Sequence, residues 1–154
     1  MKSKNEETMD FNGTFELNTS MDNIYRFVMD PEKLASCIPG LKKMEKISYT
    51  EFTVLVKVGI AFIKEDFNIK FTVLESEPPS HAKLAGVGAG KSGTVDITAD
   101  MHLTENNGKS TMLWTAQANV GGKIGSMGQR LITGQAEKII NQMFKGIKEA
   151  LEPN

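Results

Sequence analysis

Apolar and polar residues alternate along most of this chain. Between Thr8 and Asn18, Met9, Phe11, Phe15 and Leu17 share one parity, and Asp10, Asn12, Thr14 and Glu16 share the other. A period of two over that length predicts a half-buried strand. The alternation returns four times. Phe52, Val54, Val56, Val58 and Ile60 fall together, as do Phe67, Ile69, Phe71 and Val73. So do Val95, Ile97, Ala99, Met101 and Leu103, and then Met112, Trp114, Ala116, Ala118 and Val120. Two weaker strands are expected at Leu41 to Ser48 and at the glycine-rich stretch His81 to Gly90, around Leu84. Glu77-Pro78-Pro79-Ser80 and Asn106-Asn107-Gly108 read as turns.

The helical period appears in two places. After the first strand, Thr19 or Ser20 can cap a short helix carrying Ile24, Phe27 and Val28. Asp30-Pro31 ends it and starts a second one, with Leu34, Cys37 and Ile38, which Pro39-Gly40 stops. From about Lys123 to Leu151, apolar residues recur at three- and four-residue steps and predict one long helix. Sequential strands joined by short turns imply an antiparallel sheet. Its apolar face needs a cover, and the C-terminal helix is the element long enough to provide one. A curved sheet around such a helix leaves a hollow, which is a default ligand site when it is apolar.

The start of that helix is unusual. Gly121, Gly122, Gly125, Gly128 and Gly134 crowd its first turns, where each glycine costs about 1 kcal/mol against alanine. At roughly 100° per residue, the first four fall on the side facing the sheet. Either the backbone packs tightly there, or room is left for a ligand; the second outcome is expected, with Phe144 and Ile147 filling the far end.

Composition narrows the function classes. The 154 residues carry a net charge of −1, so no overall field draws the chain to nucleic acid. Lys42, Lys43 and Lys46 are interrupted by Glu45 and have no interleaved aromatics, as expected of a solvated edge strand. The single cysteine, Cys37, excludes an internal disulfide and fits a reducing compartment. The polar start MKSKNEET lacks the apolar core of a signal peptide, and residues 1–7 are expected to be a disordered arm before a single domain over 8–154. A cytoplasmic location follows from these features.

Three segments carry a resemblance: DPEKLASCIPGLKKMEKIS (Asp30 to Ser48), FTVLVKVGIAFIKEDF (Phe52 to Phe67) and VGGKIGSMGQRLITGQAEKII (Val120 to Ile140). They resemble the CoxG family of carbon monoxide dehydrogenase subunits over about Met9 to Leu151. The resemblance implies an α+β helix-grip fold, START-like and birch-pollen-allergen-like. In that fold a curved antiparallel sheet of about seven strands wraps a long C-terminal helix, with two short helices after the first strand. It implies an apolar cavity without metal or cofactor, filled by a quinone or lipid-like small molecule. It further implies an accessory role beside a molybdenum hydroxylase of the carbon monoxide dehydrogenase type, with transient contact at the inner face of the membrane. Many members continue into a tail beyond the helix, whereas this sequence stops at Asn154. The alternative is an enzyme like the polyketide cyclases and aromatases that share the fold.

Candidate chemistry in the residues themselves is sparse. His81 and His102 are the two histidines, and neither has a metal-type cluster near it in sequence. Both are expected to be ordinary surface residues. Cys37 ends a short helix, where the dipole disfavours the thiolate, and is read as a small apolar residue near the pocket. GVGAGKSGT (Gly86 to Thr94) misses the phosphate-loop register and has no helix after it; it is read as a glycine-rich bend, with a mobile rim flap as an option. Glu65 shares parity with Phe67 and can orient a polar ligand head, unless the parity slips and leaves it solvated. Gln135 can hydrogen-bond a ligand carbonyl or hydroxyl, or sit at a boundary. The expected lining is Phe27, Leu34, Ile38, Val56, Phe67, Ile69, Phe71, Leu84, Val95, Trp114, Leu131, Ile132 and Gln135.

Overall fold

A computed structural model of the chain describes residues 7–60 and 62–152. The expected arm at residues 1–6 lies outside them, but Glu7, assigned to that arm, is the first residue of a strand. Seven strands run β1 (Glu7–Leu17), β2 (Leu41–Lys46), β3 (Glu51–Ile60), β4 (Ile63–Glu77), β5 (His81–Gly90), β6 (Gly93–Asn106) and β7 (Lys109–Gly121). They form one antiparallel sheet in the order β1-β7-β6-β5-β4-β3-β2. Only β1 departs from sequence order, because the two helices after it carry the chain across to the other edge.

Those helices are α1 (Met21–Val28) and α2 (Pro31–Ala35). Ser20 caps the first by accepting a hydrogen bond from the Asn23 N–H at 3.1 Å. Asp30 caps the second through the N–H groups of Glu32 and Lys33, with Pro31 pre-set in the first turn. The β6–β7 hairpin turns on Asn107 (φ 53°) and Gly108 (φ 78°). Two consecutive left-handed residues match the right-handed twist of the flanking strands.

The expected continuous helix from Lys123 is two helices, α3 (Gly122–Gly125) and α4 (Gln129–Leu151). Gly128 has φ 99°, outside helical space, and Gly122 has φ 78°. A residue at either dihedral cannot continue a right-handed helix. The glycines also divide into two kinds. A Cβ on Gly122 would lie 2.7 Å from the Gly93 Cα, and one on Gly93 would strike the Gly121 carbonyl. Here backbone meets backbone, so the tight-packing outcome holds at Gly121–Gly122 rather than the expected ligand space. Gly128 and Gly134 have open space around them instead.

The concave face of the sheet grips α1 to α4. Leu17, Ile24, Tyr25, Phe27, Leu103, Met112 and Ile147 make one buried cluster. Met9, Phe52, Val54, Val56, Phe67, Val120, Ile124 and Ile132 make another.

Candidate functional site

Between the sheet and α4 lies an apolar cavity of about 450 Å³, within the usual range of ~300–1,000 Å³ for small-molecule sites. Side-chain size makes it. At the centre of the concave face stand Ala99, Ala116 and Ala118, with Ala99 paired directly to Ala116 across β6 and β7. On β5, Gly86 leaves room for the Phe71 ring, since a Cβ there would lie 2.7 Å from Phe71 Cε1. Gly88 does the same for Ile69, and Gly90 for Phe67. The glycine-rich stretch is therefore a regular inner strand that seats the bulky β4 row, not a flap. Phe71 stacks on Phe52 with centroids 5.2 Å apart and completes one wall.

Helix α4 roofs the cavity with Ile132, Gln135, Ala136, Ile139, Ile140 and Met143. Val28, Met29, Leu34, Ile38 and Pro39 close it from the side of the short helices. Tyr49, in the β2–β3 turn, touches the cavity yet is 91% exposed, which marks a rim open to solvent.

Of the expected lining residues, Leu34, Ile38, Val56, Phe67, Ile69, Phe71, Leu84, Val95, Trp114, Ile132 and Gln135 are brought together around this space. Two are placed elsewhere, and the separate polar candidate Glu65 is not part of the lining. Phe27 is buried in the other cluster with Leu17 and Ile24, because α1 turns that face toward the far end of the groove. Leu131 is 50% exposed; one residue before Ile132, it lies about 100° round the helix and faces water. Glu65 is committed to a backbone group, accepting the Ser92 N–H at 3.0 Å. The Ser92 carbonyl in turn accepts the Ile124 N–H at 2.9 Å, so Glu65 braces the β5–β6 turn that anchors α3. Cys37 is not at the cavity either. Its Sγ sits where a Cβ on Gly146 of α4 would approach to 3.2 Å, and burial pushes its thiol pKa up.

Sequence reasoning missed Met9, Phe11, Phe52, Val54, Ile97, Ala99 and Met101 as lining residues, although the same strand parity marks them. It missed Ile139, Ile140 and Met143, although the helical period marks those. Gln135 is the polar side chain that α4 presents to the cavity. The chamber can therefore exclude water from an apolar molecule and offer one amide to a polar end.

The histidines also differ from expectation. His102 is 62% exposed, but the His81 side chain is only 12% exposed. The two are register partners on β5 and β6, and their rings stack at 4.5 Å. His81 Nε2 lies 3.2 Å from Asp100 Oδ2, and its Nδ1 lies 2.7 Å from Glu77 Oε1. These hydrogen bonds, to Asp100 first and Glu77 second, raise the His81 pKa above its ordinary value. The cluster has the outward parity of β5 and β6, although Asp100 also borders the cavity through the sheet.

Comparison with known proteins agrees with this architecture. No curated protein matches the chain. A solved structure of a conserved protein from Geobacillus kaustophilus is 32% identical, covers 93% of this chain and 95% of its own, and superposes with a TM-score of 0.87. A START superfamily protein from Mycobacterium smegmatis has 15% identity and a TM-score of 0.68 over 93% of this chain and 97% of its own. The Zhui aromatase/cyclase from Streptomyces sp. R1128 has 11% identity and a TM-score of 0.68 over 95% and 94%. At those identities the last two speak for the helix-grip fold alone. The CoxG sequence profile, that of a carbon monoxide dehydrogenase subunit, matches residues 13–152, and the chain belongs to the CoxG family.

Proposed function

We propose that the protein is a non-enzymatic carrier whose cavity holds a quinone or lipid-like molecule, and that it serves a molybdenum-containing dehydrogenase as an accessory. The observation that carries this reading is the lining: aliphatic and aromatic side chains from strands and helices enclose about 450 Å³, with Gln135 placed to hydrogen-bond one polar end of the ligand. Cyclase-like chemistry would need an acid or base at the reacting atoms. The amide of Gln135 is neither, and the Glu65 carboxylate already holds Ser92. Asp100 and Lys83 border the cavity but have the outward parity of their strands, with Asp100 held by His81. Family membership supports the dehydrogenase partner. No helix among the described residues is long and apolar enough to cross a membrane. In this reading loading occurs by transient contact at the inner face of the membrane, through the open rim at Tyr49.

The test is a homologous series of alkyl-chain quinones titrated into delipidated protein. Each methylene moved from water into the chamber gains about 0.8 kcal/mol, or roughly fourfold in affinity. Affinity should climb by that step until the chamber is full and then level off. Affinity independent of chain length would overturn the reading.

A further inference from the structure

The outer face of the sheet carries polar chemistry that the apolar chamber does not use. We propose that His81, Asp100 and His102 bind a divalent transition-metal ion of the zinc class, with Glu77 holding the His81 ring in place.

One ligand atom from each of the three residues lies within 4.8 Å of the others. A tetrahedral zinc site holds its nitrogen and oxygen ligands at about 2.0–2.2 Å, which spaces them roughly 3.3–3.6 Å apart. Closing that gap requires the two stacked imidazoles, now 23° apart in plane, to tilt until both Nε2 lone pairs meet one ion. The backbone needs no change, because β5 and β6 already set the three residues on one face: His81 opposite His102, and Asp100 two residues along from His102. Both Nε2 atoms already face the Asp100 carboxylate, His81 at 3.2 Å and His102 at 3.0 Å.

Two further observations favour an ion over a purely structural cluster. Glu77 meets the opposite ring nitrogen of His81 at 2.7 Å. A carboxylate there fixes the proton on Nδ1 and turns Nε2 toward the ion, the outer-shell arrangement typical of metal-bound histidine. In addition, Asp100 Oδ1 is shielded from solvent and makes no hydrogen bond among the described residues, since the His102 Nε2 atom 3.0 Å from it lies outside hydrogen-bond geometry. A cation between it and the two Nε2 atoms would satisfy it.

The donor set selects the ion. Two imidazoles and a carboxylate suit zinc, cobalt, nickel or copper; magnesium and calcium prefer oxygen alone. Three protein ligands leave a fourth position for water or an exogenous donor. It would open onto the groove of about 760 Å³ on the outer face, where Asn12, Lys83, Thr98 and Thr115 stand beside His102 and Asp100 and Leu113 adds apolar surface.

The test uses full-length protein made without a polyhistidine tag and stripped with a chelator. Zinc is titrated calorimetrically, and cobalt is followed by its visible absorption. One ion per chain is expected, unaffected by excess magnesium or calcium. His102→Ala should abolish binding; this side chain is 62% exposed, so the metal-free melting temperature should stay unchanged. Asp100→Asn preserves the shape and should also abolish binding. Glu77→Gln should weaken it by about tenfold or more. Absence of binding, binding that survives His102→Ala, or equal competition by magnesium would each overturn the site.

Discussion

The two ends of the groove between sheet and helix are built from the same alternating pattern, yet one is solid and the other hollow. At the solid end, Leu17 and Ile24 are 1% and 0% exposed. Where this end meets the hollow, Phe15 stacks on Phe144 at 4.4 Å and Trp114 leans on the same ring at 5.4 Å, and Phe144 and Trp114 form the boundary wall. At the hollow end the floor is Gly86, Ala99, Ala116 and Ala118, and the large residues stand at the walls. Parity decides which face is apolar at both ends. Side-chain volume decides whether that face is filled. The hollow is thus encoded by a few small residues at inward positions, not by any change of pattern.

The sharpest way to break this contrast is to remove volume at each end. Ile24→Ala at the solid end should destabilise the fold by about 2–5 kcal/mol in urea unfolding, since packed neighbours cannot collapse into the gap. Ile140→Ala on the roof of the hollow removes similar atoms beside space that is already present. It should cost less than about half as much. Equal costs would mean that the two ends are packed alike.

Adding volume reverses the logic. Ala118→Phe in an ordinary core would cost about 1–3 kcal/mol by overpacking. Here the ring can enter the chamber, so stability should hold while quinone binding falls by about tenfold or more. Native mass spectrometry and unfolding on the same sample separate the two effects. Binding that survives the substitution would place the ligand elsewhere.

Much of this was legible in the sequence, and the failures have physical causes. Strand parity found the wall residues because a pleated strand has two sides and one is always the core. It could not locate Phe27, since a two-turn helix can present its apolar face to either end of the groove. Leu131 failed because neighbouring helical residues differ by about 100° and only one of the pair with Ile132 can face inward. Glu65 has the right parity, but its partner Ser92 lies 27 residues away in a turn. The His81–His102 pair depends on the register of two strands, which no single strand reveals.

Glycines give a finer test of the same volume argument. Gly134 lies within α4 on its exposed side, with nothing near the position of an added Cβ. Gly134→Ala should stabilise the protein by about 0.5–1 kcal/mol through helix propensity and a less flexible unfolded chain. At Gly122 the Cβ would lie 2.7 Å from Gly93 Cα at φ 78°, so the same substitution should destabilise. A gain at both positions would refute the division between tightly packed and open glycines.

The smallest effect belongs to the solid end and depends on pH. Tyr25, buried there, places its hydroxyl 2.6 Å from Ser76 Oγ and donates to the His81 carbonyl at 3.1 Å. His81 in turn lies between the Asp100 and Glu77 carboxylates, which raise its pKa. Unfolded, the ring titrates near about 6.5. Between that value and the higher folded one, the native state holds more protons than the unfolded state, so stability falls as pH rises. The contribution is complete below the unfolded pKa and gone above the folded one. It should be small, because Glu77 is 72% exposed and water screens its charge. Metal-free protein and His81→Gln, unfolded in urea across that window with chelator present, should differ most at the acid end and converge at the alkaline end. A difference that stays constant with pH would show that the imidazole charge does not contribute to holding this end of the fold.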